Sequence, residues 1–196
     1  MELYWIGTDS ISQSDVESVR RLFPTRYARA LRCVNRRDGL QIIAAGVLLN
    51  KTLGLDESMI RLEPNGRPFV PGGPFISISH SFERCVLAHS EEPVGVDIEK
   101  LDAGNLDIAD TVMTVPELEW LSSSPLERFH ILWTRKESVY KAIGGVFEPK
   151  SIDSLNYGAH DTLTLNSVIW DGYAVSVCSQ QADGISFISI KDSSCF

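Results

Sequence analysis

Apolar residues recur at three- and four-residue spacing through one long stretch, Ser124 to Gly145, SPLERFHILWTRKESVYKAIGG. Phe129, Leu132, Val139, Tyr140 and Ile143 form one stripe, as expected of a helix with one face on a core. Ser124 and Glu127 have capping-box spacing, Pro125 suits the first helical position, and Gly144-Gly145 supplies a stop. Ser14 and Glu17 predict a shorter helix with Val16, Val19 and Phe23 inward. Asp38 is placed to cap a third, whose face is Leu40, Ile43, Ala44, Val47 and Leu48 and whose end is near Gly54. Thr114 and Glu117 open another short one.

Alternation with a period of two marks strands at Leu3 to Thr8, Phe75 to Ser79, Arg84 to His89 and Val94 to Glu99. Beyond the long helix, Asp161 to Asn166, Val168 to Cys178 and Gly184 to Ile190 read as antiparallel strands. Their turns fall around Asp171-Gly172 and Asp183-Gly184, and Asp192 to Phe196 reads as a frayed end. Pro64 to Pro68 and Gly72 to Pro74 are turn chemistry.

Composition narrows the setting. A chain of 196 residues can bury a core as one domain or as two small halves. No apolar run approaches a membrane span, and Met1 to Ser10 lacks a basic start followed by an apolar segment, so a cytoplasmic protein without membrane attachment is expected. Cys33, Cys85, Cys178 and Cys195 are scattered, which argues against a zinc site and a disulfide framework. A net charge of -8 argues against general nucleic-acid binding.

Three features stand out against that background. Seven arginines (20, 21, 26, 29, 32, 36 and 37) fall between Val19 and Arg37 with no acidic residue among them. They form either a solvated basic face or an anion site, because guanidinium groups bind phosphates bidentately. Asp97 and Glu99 point to one face of a strand while Val96 and Ile98 point to the other. Two such carboxylates repel, which suits either an exposed edge or a hard cation between them. Lys136 lies in the apolar stripe, and Glu137 and Lys141 stack on its edge. A snorkelling lysine and a surface ion pair are the plain alternative to a functional pair.

Taken together, Gly95-Val-Asp97-Ile-Glu99, Trp133-Thr-Arg-Lys136-Glu137-Ser-Val-Tyr-Lys141-Ala and the upstream Ile78-Ser79-His80-Ser81 resemble the motifs of 4'-phosphopantetheinyl transferases of the long, single-chain type. Gly66-Arg67-Pro68 fits that type's turn, and the resemblance runs from Leu3 to about Tyr157. It implies an α/β (α+β) fold of two similar halves related by a pseudo-twofold, residues 1–95 and 96–196, each a small antiparallel sheet on a long helix. It implies magnesium, or manganese in its place, on Asp97, Glu99 and Glu137, with coenzyme A as co-substrate. Lys136 and Lys141 would contact phosphates, and Ser79 and His80 would hold them from the strand end. Arg67 would lie along the nucleotide, and Arg26 and Arg29 would meet the 3'-phosphate. Glu137 is the candidate catalytic base, with Glu117 acting through a water as the alternative. The partner would be an apo acyl or peptidyl carrier protein, and the enzyme a monomer. Gln41-Ile42 departs from an Arg-Thr pair of many long-type members, removing one cation expected near the nucleotide. A magnesium-dependent phosphohydrolase and a non-catalytic binding module are the competing functions.

Overall fold

The computed structural model describes residues 1–157, 162–180 and 184–191. In chain order the elements are β1 (Glu2–Gly7), α1 (Gln13–Leu22), α2 (Pro24–Ala30), α3 (Arg36–Leu53), β2 (Arg61–Leu62), β3 (Pro68–Phe69), β4 (Phe75–Ser81), β5 (Arg84–Ser90) and β6 (Gly95–Lys100). There follow α4 (Ala109–Val112), α5 (Val115–Leu121), α6 (Pro125–Ile143), β7 (Thr164–Trp170), β8 (Tyr173–Ser179) and β9 (Ser186–Ser189). The expected frayed end at 192–196 lies outside the described residues. No helix among the described residues is long and apolar enough to cross a membrane.

One sheet has the order β4-β5-β1-β9 and a second the order β6-β8-β7. Helix α3 covers the first, with Ile43, Val47 and Leu48 buried in one core with Val19, Phe23, Ile76 and Leu87. Helix α6 lies on the second, against β6 and β8. Between the sheets Leu3, Val86 and Ala88 meet Val96, Ile98, Val175 and Val177 in a shared apolar layer. The architecture is a mixed α/β one in which each small sheet rests on a long helix.

The chain departs from expectation at its last strand. β7 and β8 form the expected antiparallel hairpin around Asp171-Gly172, with Asp171 itself at positive φ. β9 does not extend that hairpin: it pairs in parallel with β1, Leu3 opposite Phe187, so the first sheet is mixed rather than antiparallel. A division of the chain at residue 95 is therefore crossed by a strand from the far end. Phe187 stacks on Trp170 at 4.2 Å between ring centroids, so β9, though paired with β1, still packs against the hairpin through the apolar layer between the sheets.

Helix starts differ in detail. α1 is capped by a Ser12–Asp15 box, not by Ser14 and Glu17, and α3 by Asn35, not Asp38. The Thr114–Glu117 box is formed, whereas Ser124 makes no side-chain cap at α6, where Pro125 starts the helix unaided. Gly95 has a specific duty: a Cβ there would collide with the Ser138 carbonyl oxygen and the Ala142 amide nitrogen, so only glycine lets β6 cross α6 this closely.

Candidate functional site

Three elements meet at the site. Alternation along β6 sends Val96 and Ile98 into the inter-sheet core and turns Asp97 and Glu99 to the other side. On α6, Trp133, Glu137 and Lys141 recur every fourth residue, so one helical face presents all three. β4 supplies Ile78, Ser79 and His80. These eight residues line one open cavity of about 270 Å³. A second cavity of about 210 Å³ adjoins it at Ile78 and Lys141, between the Asn65-Gly66-Arg67-Pro68 turn and Tyr140.

Hydrogen bonding at the cavity floor is specific. Lys141 Nζ stands 2.6 Å from Asp97 Oδ1 and donates to Ser79 Oγ at 3.0 Å. The Ser79 hydroxyl donates to the same Asp97 oxygen at 2.6 Å. Lys141 therefore pairs with Asp97 across the helix–strand junction and does not form the surface pair with Glu137 that its spacing allowed. Asp97 Oδ2 is buried without a partner. The Ser81 hydroxyl donates to Glu99 Oε2 at 2.8 Å.

Crowding of negative charge shows in the protonation of these groups. Burial first, and then the charge of Asp97, push the Glu99 carboxyl up to about 7, against the pull of the Ser81 hydroxyl and Lys141. Burial and Asp97 raise Glu137 as well, with Lys141 opposing. Burial, then Lys141 and Arg29, lower the His80 imidazole, favouring its neutral form. Arg26 is lowered chiefly by burial, with Cys85, Arg29 and Glu57 around it. Burial pushes the neighbouring Cys85 thiol up to about 12, which makes it inert near neutral pH.

Among the described residues the carboxylates do not form a ready-made metal cluster, and Lys141 stands on Asp97 instead. The residues nevertheless fit a hard divalent cation: the carboxylate donors are oxygens, one buried Asp97 oxygen is unsatisfied, and burial and the charge of Asp97 raise both the Glu99 and the Glu137 carboxyls.

The structure corrects the expectation for two residues. Lys136 is fully buried and points away from the cavity, because one step along a helix turns the side chain by about 100°. Its ammonium donates to the carbonyls of Pro149 and Ile152 at 2.8 and 2.6 Å and pairs with Glu117 at 2.8 Å. Three donors meet three acceptors, so none is left for a phosphate. Glu117 is equally buried, accepting from Ser154 through its other oxygen and from Thr114 N. Burial pulls its carboxyl up, but the Lys136 and Ser154 hydrogen bonds overcome that and hold it below the usual range. Both residues bind α5 and the 149–154 segment to α6, apart from the acidic cavity. Arg67 donates to the Ala142 carbonyl at 3.0 Å, which ties the Asn65–Pro68 turn to the end of α6. Gln41 donates to the Phe82 carbonyl at 2.9 Å. Two participants went unassigned in the sequence. Trp133 lines the cavity and packs edge-on against Phe147, and Ser81 holds Glu99. The repeat Ser77, Ser79, Ser81 along one strand face was the available signal for the second.

A family model described as the 4'-phosphopantetheinyl transferase superfamily matches residues 93–178, the segment that holds β6 and α6. The chain is 32% identical over 173 residues to the 4'-phosphopantetheinyl transferase gsp of Aneurinibacillus migulanus, covering 76% of this chain and 72% of that protein. It therefore belongs to the 4'-phosphopantetheinyl transferase family, and it is an enzyme. Similarity extends along nearly the whole length to the 4'-phosphopantetheinyl transferase Sfp of Bacillus subtilis strain 168, at 26% identity over 93% of this chain and 94% of that one. The 4'-phosphopantetheinyl transferase AcpT of Escherichia coli strain K12 is 29% identical over 70% of this chain.

Proposed function

We propose that the enzyme transfers the 4'-phosphopantetheine of coenzyme A to a serine of an apo acyl or peptidyl carrier protein and releases adenosine 3',5'-bisphosphate. The supporting observation is the convergence of Asp97, Glu99, Glu137 and Lys141 on one cavity, with an unsatisfied buried carboxylate oxygen at its floor. Mg2+ held by Asp97, Glu99 and Glu137 would supply charge neutralisation for the pyrophosphate and its leaving group. In this reading Lys141 neutralises the oxygens on the leaving side, and neutral His80 donates to a phosphate. Arg26 and Arg29 take the 3'-phosphate, and the Arg67 turn borders the nucleotide. Glu137 accepts the proton as the carrier serine oxygen bonds to the β-phosphorus. The bond from that phosphorus to the bridging oxygen breaks, and the oxygen leaves on the nucleotide. Lys136 and Glu117 serve as scaffold.

The two sheet-on-helix units are read as the family's related halves, 1–95 and 96–196, with β9 crossing between them. A monomer in the cytoplasm is the proposed setting; Cys33 and Cys85 are in no disulfide. The test is to incubate the enzyme with Mg2+, coenzyme A and an apo carrier protein and to weigh the carrier. A gain of one phosphopantetheine is expected. Release of phosphate from coenzyme A with no change in the carrier would establish a phosphohydrolase instead.

A further inference from the structure

β4 and β6 are edge strands of different sheets, yet they run side by side. Serine hydroxyls join them where a backbone ladder would otherwise stand. Ser77 Oγ accepts from Val96 N at 3.0 Å, Ser79 reaches Asp97, and Ser81 Oγ accepts from Lys100 N at 3.0 Å. The last bond fixes a direction. A backbone N–H can only donate, so it occupies a lone pair of Ser81 Oγ and leaves that hydroxyl's single hydrogen for Glu99 Oε2. Glu99 has a flexible side chain, and among the described residues this is its hydrogen bond. Ser79 is set the same way: Lys141 donates to its oxygen, so its hydrogen goes to Asp97.

We propose that Ser81 is a positioning residue that orients the Glu99 carboxylate in the acidic cavity by binding one oxygen, which leaves the other for a divalent cation. The inference rests on the metal-dependent reading above. Ser77 provides the contrast: it makes the same kind of bond to β6 backbone but touches no carboxylate.

Mn2+ binding to the protein alone, followed by calorimetry and by the electron-spin resonance of the ion, tests this without turnover. Removing a side chain that orients a metal ligand typically weakens metal binding by 10–100-fold, so Ser81→Ala is expected to lose about tenfold. Ser81→Thr keeps the hydroxyl and should stay near wild type, as should Ser77→Ala. Combining Ser81→Ala with Glu99→Ala should add nothing to the loss from Glu99→Ala, because Ser81 acts through that carboxylate. Wild-type affinity in Ser81→Ala would overturn the inference. So would equal losses in Ser77→Ala and Ser81→Ala, which would point to the strand contact in general, or additive losses in the double variant. A wild type that binds no Mn2+ would overturn the metal reading itself, and this inference with it. Carrier modification by that same wild type then tells the two failures apart.

Discussion

α6 holds two lysine–carboxylate pairs, and they differ in completeness. Lys136 and Glu117 are both fully buried, and the three ammonium donors and both carboxylate oxygens of the pair have partners. Lys141 and Asp97 are 26% and 4% exposed, share a serine, and leave one carboxylate oxygen unpartnered. The same two chemical groups thus make a closed scaffold on one side of the helix and an open arrangement bordering a cavity on the other. Charge alone does not mark a site; an unmet hydrogen-bonding capacity beside a cavity does.

The largest effect should come from breaking the closed pair. Lys136→Ala leaves Glu117 charged and buried, and removal of one such partner costs about 3–5 kcal/mol in denaturant unfolding. Replacing both, Lys136→Met with Glu117→Leu, removes the unpaired charge and should recover part of that loss, the rest remaining because the Pro149 and Ile152 carbonyls and Ser154 lose their partners, while the folded protein keeps its affinity for coenzyme A. A Lys136→Ala protein of normal stability but weakened coenzyme A binding would return Lys136 to the phosphates and erase the contrast.

Opening the second pair should act on the reaction instead. Asp97→Ala is expected to lower turnover by roughly 10²–10³-fold, the usual cost of removing one preorganised electrostatic group, while the unfolding midpoint holds. Lys141→Ala should reduce turnover more than it weakens coenzyme A binding. A pure binding defect there would confine Lys141 to ground-state recognition.

In the proposed reading Arg26 and Arg29 meet the 3'-phosphate, remote from the bond that breaks, so their effect should be smaller and specific. Each charge-assisted contact is worth about 1.5–3 kcal/mol, or one to two orders of magnitude in affinity. Arg26→Ala and Arg29→Ala should raise the KM for coenzyme A and leave 3'-dephospho-coenzyme A nearly unaffected. Equal losses on both substrates would make these arginines structural.

The last effect concerns pH. Glu99 has a folded-state pKa of about 7 against an ordinary 4.5. Between those values the folded chain holds a proton that the unfolded chain has released, so stability falls as pH rises through the window. The metal-free melting point should drop from pH 5 to pH 7.5 by about 2–4 °C for each kcal/mol lost. Mg2+ should flatten the slope, since it favours the ionised form, and Asp97→Ala should flatten it too. A slope unchanged by both would detach Glu99 from the acidic cluster.

How much of this was legible depends on where the determining contact lies. The length of α6, the Thr114–Glu117 box and the acidic face of β6 follow from local periodicity and capping, and all three were readable in the residues. Both Ser12-x-x-Asp15 and Ser14-x-x-Glu17 satisfy capping-box spacing, so the start of α1 was ambiguous by two residues; the structure forms the first, with Lys51 on the second Asp15 oxygen. Lys136 could not be assigned from its motif, because neighbours in sequence point to different faces and the partner on the far face, Glu117, also fits a helix cap. The duty of Ser81 depends on two strands of separate sheets lying together. The partner of β9 depends on tertiary packing against Trp170 and β1, to which a four-residue strand gives no clue.

That last pairing bears on the order of synthesis. One edge of β1 (Glu2–Gly7) is satisfied by β9 (Ser186–Ser189), which is synthesised much later. At 5–20 residues per second this leaves the edge open for roughly ten to forty seconds on the ribosome. An unpaired edge is a template for another chain. Helices α1 to α3 can pack early, but the β4-β5-β1-β9 sheet is complete only after Ser186–Ser189 has been translated, so a chain interrupted before Ser186 would present that edge permanently.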